Sequence, residues 1–285
     1  MIPQIRIGGV PEYFNLPIYQ AIEKGVFQDR GIDLVWENVS EGTGAMAKKL
    51  SSGELDLAVI LTEGITKSII DGNPSRIIKN YVESPLVWGV HVPYSKGILS
   101  LDELDKKKIA ISRFGSGSHL MSFLLAQREN WEKEDFAFHV INNLDGARES
   151  FGNHETNVFL WEKHTTQPYV DAKEFDRIDH VETPWPCFVI AANNDALSKN
   201  TSNIKQICDL INGACMSLQS NHNLPKIISD TFNLKLENTE KIANEVKWST
   251  KTEVNGEALH KVMNTLSELD LIQNKIPMDQ LVFSF

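Results

Sequence analysis

A turn rich in glycine and serine, with one arginine, is the part of this chain best equipped to bind an anion. An apolar run at 109–111 predicts a buried strand before it, and Leu120, Phe123 and Leu124 have helical spacing after it. Such a strand-to-helix turn directs backbone N–H groups and the positive end of the helix dipole toward an anion. The alternative is an ordinary helix start whose hydroxyls only satisfy helix amides. The candidate ligand-binding residues are Ser112, Arg113, Gly115, Ser116, Gly117, Ser118 and His119.

Arg113 gives this turn its chemical character, because a guanidinium presents a planar fork of donors to a carboxylate, sulfonate or phosphate. We interpret His119 as a hydrogen-bonding neighbour of the anion, since no nucleophile or paired acid lies near it in sequence.

Polar and aromatic residues also follow the first two predicted strands. Aromatic rings and an amide there are expected to contact a small ligand. Alternatively, the rings staple the start of a helix that Asn15 caps, and the hydroxyls only cap the next helix. The candidates are Tyr13, Phe14 and Asn15 after the first strand, and Ser40, Gly42 and Thr43 after the second.

Two carboxylates occupy related positions just past predicted strands, in the pairs Thr62-Glu63 and Trp161-Glu162. A carboxylate at such a place can accept a hydrogen bond from an amino group or ring N–H of a ligand. It can equally sit there because the helix dipole favours a negative charge. We predict that Trp161 and Trp185 form a stacking wall. The remaining tryptophans, which are Trp36, Trp88, Trp131 and Trp248, are assigned to packing.

The histidines and cysteines indicate no metal site. No histidine pair has the His-x-x-x-His spacing of a metal ligand set. The three cysteines, Cys187, Cys208 and Cys215, lie in apolar runs and are predicted to be buried thiols rather than disulfides. No cofactor is predicted.

Length and composition limit the function classes. With 285 residues and 41% hydrophobic content, the chain can form two domains of ordinary size. A net charge of -10 without a basic block argues against nucleic acid or an anionic membrane as the main partner. No run reaches the ~18 apolar residues of a membrane span. The first residues do not resemble a secretory signal, so a cytoplasmic location is expected, or a periplasmic or extracellular one if an export peptide was removed. The protein is expected to be a monomer.

The pattern of elements predicts an α/β protein with two mostly parallel sheets. Strands at 5–7, 32–39, 55–61 and 77–82 alternate with helices, and the alternation restarts after 93–97 with strands at 109–111, 136–141, 157–161 and 177–181. A helix is predicted to begin at Glu162. Four further helices are predicted at 204–218, 225–232, 240–248 and 259–271. Ligands of such sheets bind at the carboxyl ends of strands, where the polar turns fall.

Several segments resemble the solute-binding proteins of ABC importers for sulfonates, nitrate and thiamine precursors. The opening matches at 5–9 (IRIGG), 15–27 (NLPIYQAIEKGVF) and 31–34 (GIDL). Further matches are 50–58 (LSSGELDLA), 72–74 (GNP), 101–104 (LDEL), 109–119 (IAISRFGSGSH) and 160–162 (LWE). The resemblance covers most of the first 190 residues and becomes faint in the helical C-terminal part.

The resemblance implies the type II periplasmic-binding-protein fold, in which two α/β lobes hold a small ligand in a cleft. Lobe 1 would comprise 1–87 plus 189–285, and lobe 2 would comprise 88–188. The implied function is noncatalytic binding of a small anionic or heteroaromatic metabolite, with an ABC permease as partner if the protein is exported.

The same fold group includes fungal enzymes that build the thiamine pyrimidine from pyridoxal phosphate and a sacrificed histidine, with iron. Those enzymes carry a cysteine-rich motif, and here no two cysteines are close enough in sequence to form it. Their lysine and histidine have no matching position either. We therefore predict a binding protein, and keep an enzyme of thiamine-pyrimidine or related metabolism as the alternative.

Overall fold

The chain folds into two units, each built on a five-stranded sheet, in a computed structural model that describes residues 4–104 and 106–285. The first unit contains the chain up to Pro85 together with Trp185–Phe285, and the second contains Leu86–Pro184.

The elements follow one another in α/β order. The first unit begins with β1 (Gln4–Gly9), α1 (Leu16–Glu23), β2 (Asp33–Asn38), α2 (Thr43–Ser52), β3 (Leu57–Leu61), α3 (Thr62–Ile70) and β4 (Ser75–Val82). The second unit contains β5 (Val87–Pro93), β6 (Lys107–Ile111), α4 (Gly117–Arg128), β7 (Phe136–Val140), α5 (Leu144–Gly152), β8 (Val158–Glu162), α6 (Gln167–Asp171) and β9 (Phe175–Glu182). The chain then adds β10 (Phe188–Asn193), α7 (Asn194–Gln219), α8 (Leu224–Phe232), α9 (Leu236–Glu245), α10 (Gly256–Glu268) and α11 (Met278–Leu281) to the first unit.

The two sheets share one topology. Their strand orders are β2-β1-β3-β10-β4 and β7-β6-β8-β5-β9. In each sheet a single strand, β10 or β5, runs antiparallel to both of its neighbours, and the other strands point the same way. The predicted α/β class with mostly parallel sheets is thus confirmed. The antiparallel strands are the ones by which the chain enters the second unit and returns to the first, so no βαβ crossover dictates their direction.

Helices α4 and α5 cover opposite faces of the second sheet. On the α5 face, Ala110, Phe159 and Phe175 form one buried cluster with Ala147 and Phe151 of α5. Successive strand residues point to opposite faces, so the alternate residues of β6 and β8 meet α4 instead. This arrangement places the turn before α4 at the carboxyl end of β6.

The strands form because their sequences are almost entirely apolar. β3, for example, reads LAVIL and is buried throughout, as expected for a strand covered on both faces. Each fully buried branched side chain contributes about 1.5–3 kcal/mol. The three cysteines are free and buried, as predicted. No helix in the described chain is long and apolar enough to span a bilayer.

Several predicted helix boundaries differ from the observed ones by a few residues or more, and two of them have a clear cause. Glu162 ends β8 instead of starting a helix, because its carboxylate accepts hydrogen bonds from the amides of His164 and Thr165 and closes a turn. The helix predicted to reach Trp248 ends at Glu245, and Trp248 instead forms a bridge with Val82 beside β4.

Candidate functional site

The serines at the start of α4 hold the turn together. Ser116 caps the helix, since its hydroxyl accepts a hydrogen bond from the amide of His119 at 3.3 Å. The Ser118 hydroxyl accepts one from the amide of Ser112 at 3.0 Å and lies 3.0 Å from the Ser116 hydroxyl. The helix-capping alternative therefore accounts for these hydroxyls.

Two amides at the same helix start remain available. Leu120 donates to the Ser116 carbonyl at 3.0 Å, so the helix ladder begins there. Within the described residues, the amides of Gly117 and Ser118 meet no acceptor. Both residues are buried, and α4 is twelve residues long. The positive end of its dipole can therefore act on an anion through these two amides.

Arg113 and Phe114 flank this helix start. Arg113 is partly buried, and the loss of water around its guanidinium lowers its pKa below the ordinary 12.5. A cation with fewer waters attracts an anion more strongly. Phe114 is 66% exposed, and sequence reasoning gave it no role. Its exposure beside Arg113 was not visible in the residue pattern.

His119 is a neutral hydrogen-bond acceptor. Its Nδ1 accepts a hydrogen bond from the Gly115 amide at 3.1 Å, and its ring lies among those of Phe114, Phe123 and Phe138, with centroids 5.3, 4.8 and 4.6 Å away. Burial lowers the pKa of His119 from 6.5 to about 4. The side chain thus shapes the turn without a charge near neutral pH.

Replacing His119 with asparagine is expected to weaken the acid sensitivity of the protein. Between about pH 6.5 and 4 the unfolded chain takes up a proton at His119 and the folded chain does not, so stability falls as pH falls. An asparagine oxygen retains an acceptor for the Gly115 amide but does not titrate. Urea unfolding of H119N from pH 4 to 7, with H222N at an exposed histidine as control, measures the difference; identical pH slopes in H119N and wild type would contradict this role.

In the first unit, the predicted residues after β1 are buried. Tyr13 and Phe14 are 5% and 3% exposed, and the ring of Phe14 lies 4.8 Å from that of Phe188. The Phe14 carbonyl accepts hydrogen bonds from the Tyr81 hydroxyl at 2.8 Å and from Trp248 Nε1 at 2.7 Å. These bonds fix the loop, and ligand contact by the two rings stays a prediction.

Asn15 stands at the N-cap of α1 but does not cap it, so that expectation is wrong. Its Nδ2 donates to the Val10 carbonyl at 2.7 Å, which turns the side chain away from the helix amides. Because a carbonyl can only accept, this bond also determines which end of the amide is Oδ1. Oδ1 is buried and meets no hydrogen-bond partner in the described chain.

Glu63 is a buried carboxyl at the start of α3. It is 2% exposed, and its Oε2 accepts a hydrogen bond from Trp185 Nε1 at 2.9 Å. Its Oε1 has no partner among the described residues. Burial raises the pKa of Glu63 from 4.5 to about 7. The neighbouring Thr62 donates from its hydroxyl to the Pro186 carbonyl at 2.6 Å.

The residues after β2 differ in exposure. Ser40 is exposed, and Gly42 has a φ of +78°, which favours glycine. The methyl group of Thr43 lies where a Cβ on Gly64 would stand, at 2.2 Å, so α2 and α3 approach closely there. No side chain caps α2, and the plain capping role is therefore not observed at this helix.

Trp161 and Glu162 take part in the structure of the second unit. The ring of Trp161 stacks on Phe159 at 5.5 Å, and the residue is partly exposed. The carboxylate of Glu162 is occupied by the turn that follows β8, including the Thr165 hydroxyl at 2.8 Å. Their contact with a ligand stays a prediction.

The predicted residues form two groups at the carboxyl edges of parallel strands. One group lies in the first unit and comprises Tyr13, Phe14, Asn15, Ser40, Gly42, Thr43, Thr62, Glu63 and Trp185. The other lies in the second unit and comprises Ser112, Arg113, Gly115, Ser116, Gly117, Ser118, His119, Trp161 and Glu162. In the described chain, no group of three or more His, Cys, Asp or Glu side chains is arranged so that it could hold a metal ion.

The described part of the first unit contains at least two cavities. One, of about 620 Å³, lies beside β4 and includes Pro186 and Trp248 in its wall. The other, of about 270 Å³, lies between α1 and α7. Neither is lined by a predicted site residue.

Comparison with known proteins places this arrangement in a fold group. Residues 88–181 match the family model of Ca3427-like periplasmic binding proteins. The structure is similar to that of the Candida albicans CA3427 gene product, described as defining a new family with the generic periplasmic-binding-protein fold. That likeness has a TM-score of 0.90 at 26% identity and covers 99% of this chain and 96% of the other. By sequence, no curated protein matches the chain.

Two bacterial binding proteins are also similar in structure. The alkanesulfonate-binding protein SsuA of Xanthomonas axonopodis pv. citri, solved with bound MOPS, has a TM-score of 0.82 at 13% identity over 100% of both chains. The nitrate-binding protein NrtA of Synechocystis PCC 6803 has a TM-score of 0.70 at 15% identity, covering 99% of this chain and 92% of the other. This chain therefore has the type II periplasmic-binding-protein fold, and its residues 88–181 match the Ca3427-like form of it.

Proposed function

We propose that this chain is a solute-binding protein for a small metabolite with an acidic group, of the sulfonate, nitrate or thiamine-precursor type. The observation that carries the proposal is the start of α4, where the buried amides of Gly117 and Ser118 meet no acceptor in the described chain and Arg113 stands close in sequence. The names of two structural neighbours, an alkanesulfonate binder and a nitrate binder, support the same ligand chemistry.

The donors at this helix start are sufficient for useful affinity. A micromolar ligand requires about 8 kcal/mol of binding free energy. Hydrogen bonds to a charged group contribute about 1.5–3 kcal/mol each, so two amides and a guanidinium supply most of that value. No step of covalent chemistry is needed for this role.

The first unit contains two buried polar atoms of its own. Glu63 Oε1 and Asn15 Oδ1 have no partner in the described part of the chain. Asn15 Oδ1 and the ionised carboxylate of Glu63 can each accept a hydrogen bond from an N–H group, which alkanesulfonates and nitrate lack. We infer that the first unit favours a molecule with an amino or ring N–H group.

Replacing Arg113 with alanine is expected to abolish the thermal stabilisation that the ligand produces, because the largest positive charge at the α4 start is lost. The probes are ethanesulfonate and 2-aminoethanesulfonate, which share the anion and differ in one amino group. R128A, at the other end of α4, serves as control. Equal stabilisation of R113A and wild type by both probes would rule out this role for Arg113.

Native mass spectrometry of the freshly purified protein identifies the solute directly. A small acidic molecule that leaves on mild activation is the expected result. Covalently attached pyridoxal phosphate would overturn the proposal in favour of an enzyme. If the protein is exported, an ABC permease is the partner that this proposal implies, and copurification from solubilised membranes tests it.

A further inference from the structure

Trp88 is a buried tryptophan whose indole N–H has no acceptor in the chain. The residue is 6% exposed, and Nε1 meets no hydrogen-bond partner in the described residues. Three other indoles, those of Trp36, Trp185 and Trp248, donate to acceptors within the chain. A buried donor left without an acceptor reduces stability, and a protein that retains one commonly uses it in function.

The register of β5 places Trp88 at the ligand-binding edge of the second sheet. Trp88 lies opposite Glu162, the last residue of β8. Because β5 runs antiparallel to β8, the beginning of β5 and the end of β8 lie at the same edge. The turn that leads from β6 into α4 leaves the sheet at that edge too, since β6 and β8 are parallel.

The side chain of Trp88 also lies on the face of the sheet that α4 covers. His91 is three residues away along β5, and because β5 pairs with β8 without a shift over these residues, the two side chains point to opposite faces. The ring of His91 contacts Phe159 and Phe175 of the cluster on the α5 face, at 5.7 and 5.0 Å. Trp88 therefore shares a face and an edge with the start of α4.

Two polar side chains at this edge already receive hydrogen bonds from the chain. The carboxylate of Glu162 receives hydrogen bonds from the amides of His164 and Thr165 and from the Thr165 hydroxyl. Nδ1 of His119 receives one from the Gly115 amide. Trp88 Nε1 meets none of these acceptors, and a molecule bound from outside the chain would supply one.

We propose that Trp88 is a ligand-contact residue, whose indole N–H donates to an oxygen of the acidic group bound at the amides of Gly117 and Ser118. This inference rests on the proposed function and deepens it, since it adds a donor on the sheet to those on the helix. A donor fixed on a strand favours a solute whose acidic group places an oxygen within hydrogen-bond reach of it. The chain thereby gains a specificity residue that packing alone does not explain.

Nuclear magnetic resonance of the indole N–H groups tests the proposal on the wild-type protein. Each tryptophan contributes one ¹⁵N–¹H indole signal, and the signal of Trp88 is identified by its absence in W88F. On titration with methanesulfonate, we expect the Trp88 signal to move downfield while those of Trp36 and Trp248, already hydrogen-bonded, stay in place. If W88F does not fold, single Phe variants of the other five tryptophans assign the signal by elimination.

Affinity provides the second readout. W88F is expected to bind methanesulfonate about tenfold to a hundredfold more weakly than wild type, the loss typical of one hydrogen bond to a charged group. W131F, in the same unit, is expected to bind as wild type does. If methanesulfonate stabilises the protein but leaves the Trp88 signal unmoved, the role of Trp88 is refuted and the proposed function stands. If neither methanesulfonate nor 2-aminoethanesulfonate binds, both are refuted.

Discussion

Replacing Glu63 with glutamine is expected to make the free energy of unfolding less dependent on pH between about 4.5 and 7. Over this range the wild-type protein is expected to lose about 3 kcal/mol of that free energy, and E63Q is expected not to. Burial raises the pKa of Glu63 to about 7 in the folded chain, compared with 4.5 when exposed. Between these values the folded chain retains a proton that the unfolded chain has released, so stability falls with rising pH. Each pH unit in this window costs about 1.4 kcal/mol.

The measurement is the free energy of unfolding of E63Q and wild type, by urea denaturation from pH 4 to 8. Glutamine keeps an oxygen acceptor for Trp185 Nε1 but cannot ionise, so the difference between the two proteins isolates this carboxyl. E23Q, at an exposed glutamate of α1, is the control and should follow wild type. Parallel curves for E63Q and wild type would refute a perturbed Glu63.

The same carboxyl connects stability with binding. A ligand that donates an N–H to Glu63 Oε1 favours the ionised form when it is cationic, and so releases a proton near neutral pH. The hydrogen bond from Trp185 lies on the other oxygen and reports the change, because the indole fluorescence depends on its acceptor. Glu63 can thus be followed without knowing the solute.

Replacing Gly146 with alanine is expected to destabilise the second unit by about 3 kcal/mol, near the upper end for overpacking. A Cβ on Gly146 would stand 1.9 Å from the carbonyl oxygen of Ile141. That oxygen belongs to the backbone, which cannot move aside as a flexible side chain can. The Gly146 amide also donates to Asn143 Oδ1 at 2.9 Å, the cap that starts α5, so relaxation would weaken the cap as well.

Gly152, at the end of the same helix, is the matched control. A Cβ there meets no atom within 4 Å. G152A is therefore expected to be neutral or to stabilise by about 0.5–1 kcal/mol, because alanine restricts the unfolded chain more than glycine does. Urea unfolding of both variants at pH 7 gives the comparison, and equal effects of G146A and G152A would show that the contact with Ile141 carries no cost.

Local sequence patterns were sufficient for most of the elements and for the fold class. Apolar runs such as 55–61, flanked by glycine-marked turns, predicted buried strands alternating with helices. That strand forms at 57–61, and the two sheets confirm the predicted class. These predictions succeed because burial on both faces and helical periodicity depend on residues that are close in sequence. The predicted burial of the cysteines is confirmed for the same reason.

Local patterns failed where a side chain chose a partner other than the nearest helix. Glu162 was expected to start a helix and instead closes a turn with Thr165, and Asn15 was expected to cap α1 and instead binds Val10. In each case a polar group had two possible partners within a few residues. Propensity cannot rank such partners, since the packing around them decides which one is reachable.

The sequence by itself determined where most of the strands and helices lie, and therefore which polar turns fall at carboxyl edges. Only the tertiary structure decided that Trp185 donates to Glu63, 122 residues away, and that Trp88 is buried without an acceptor. The physical reason is that β10 in the first sheet and β5 in the second lie antiparallel to their neighbours. Their positions are determined by packing between parts of the chain that are distant in sequence. No pattern of neighbouring residues encodes those positions, so the pairing of distant polar groups emerges only when the sheets are complete.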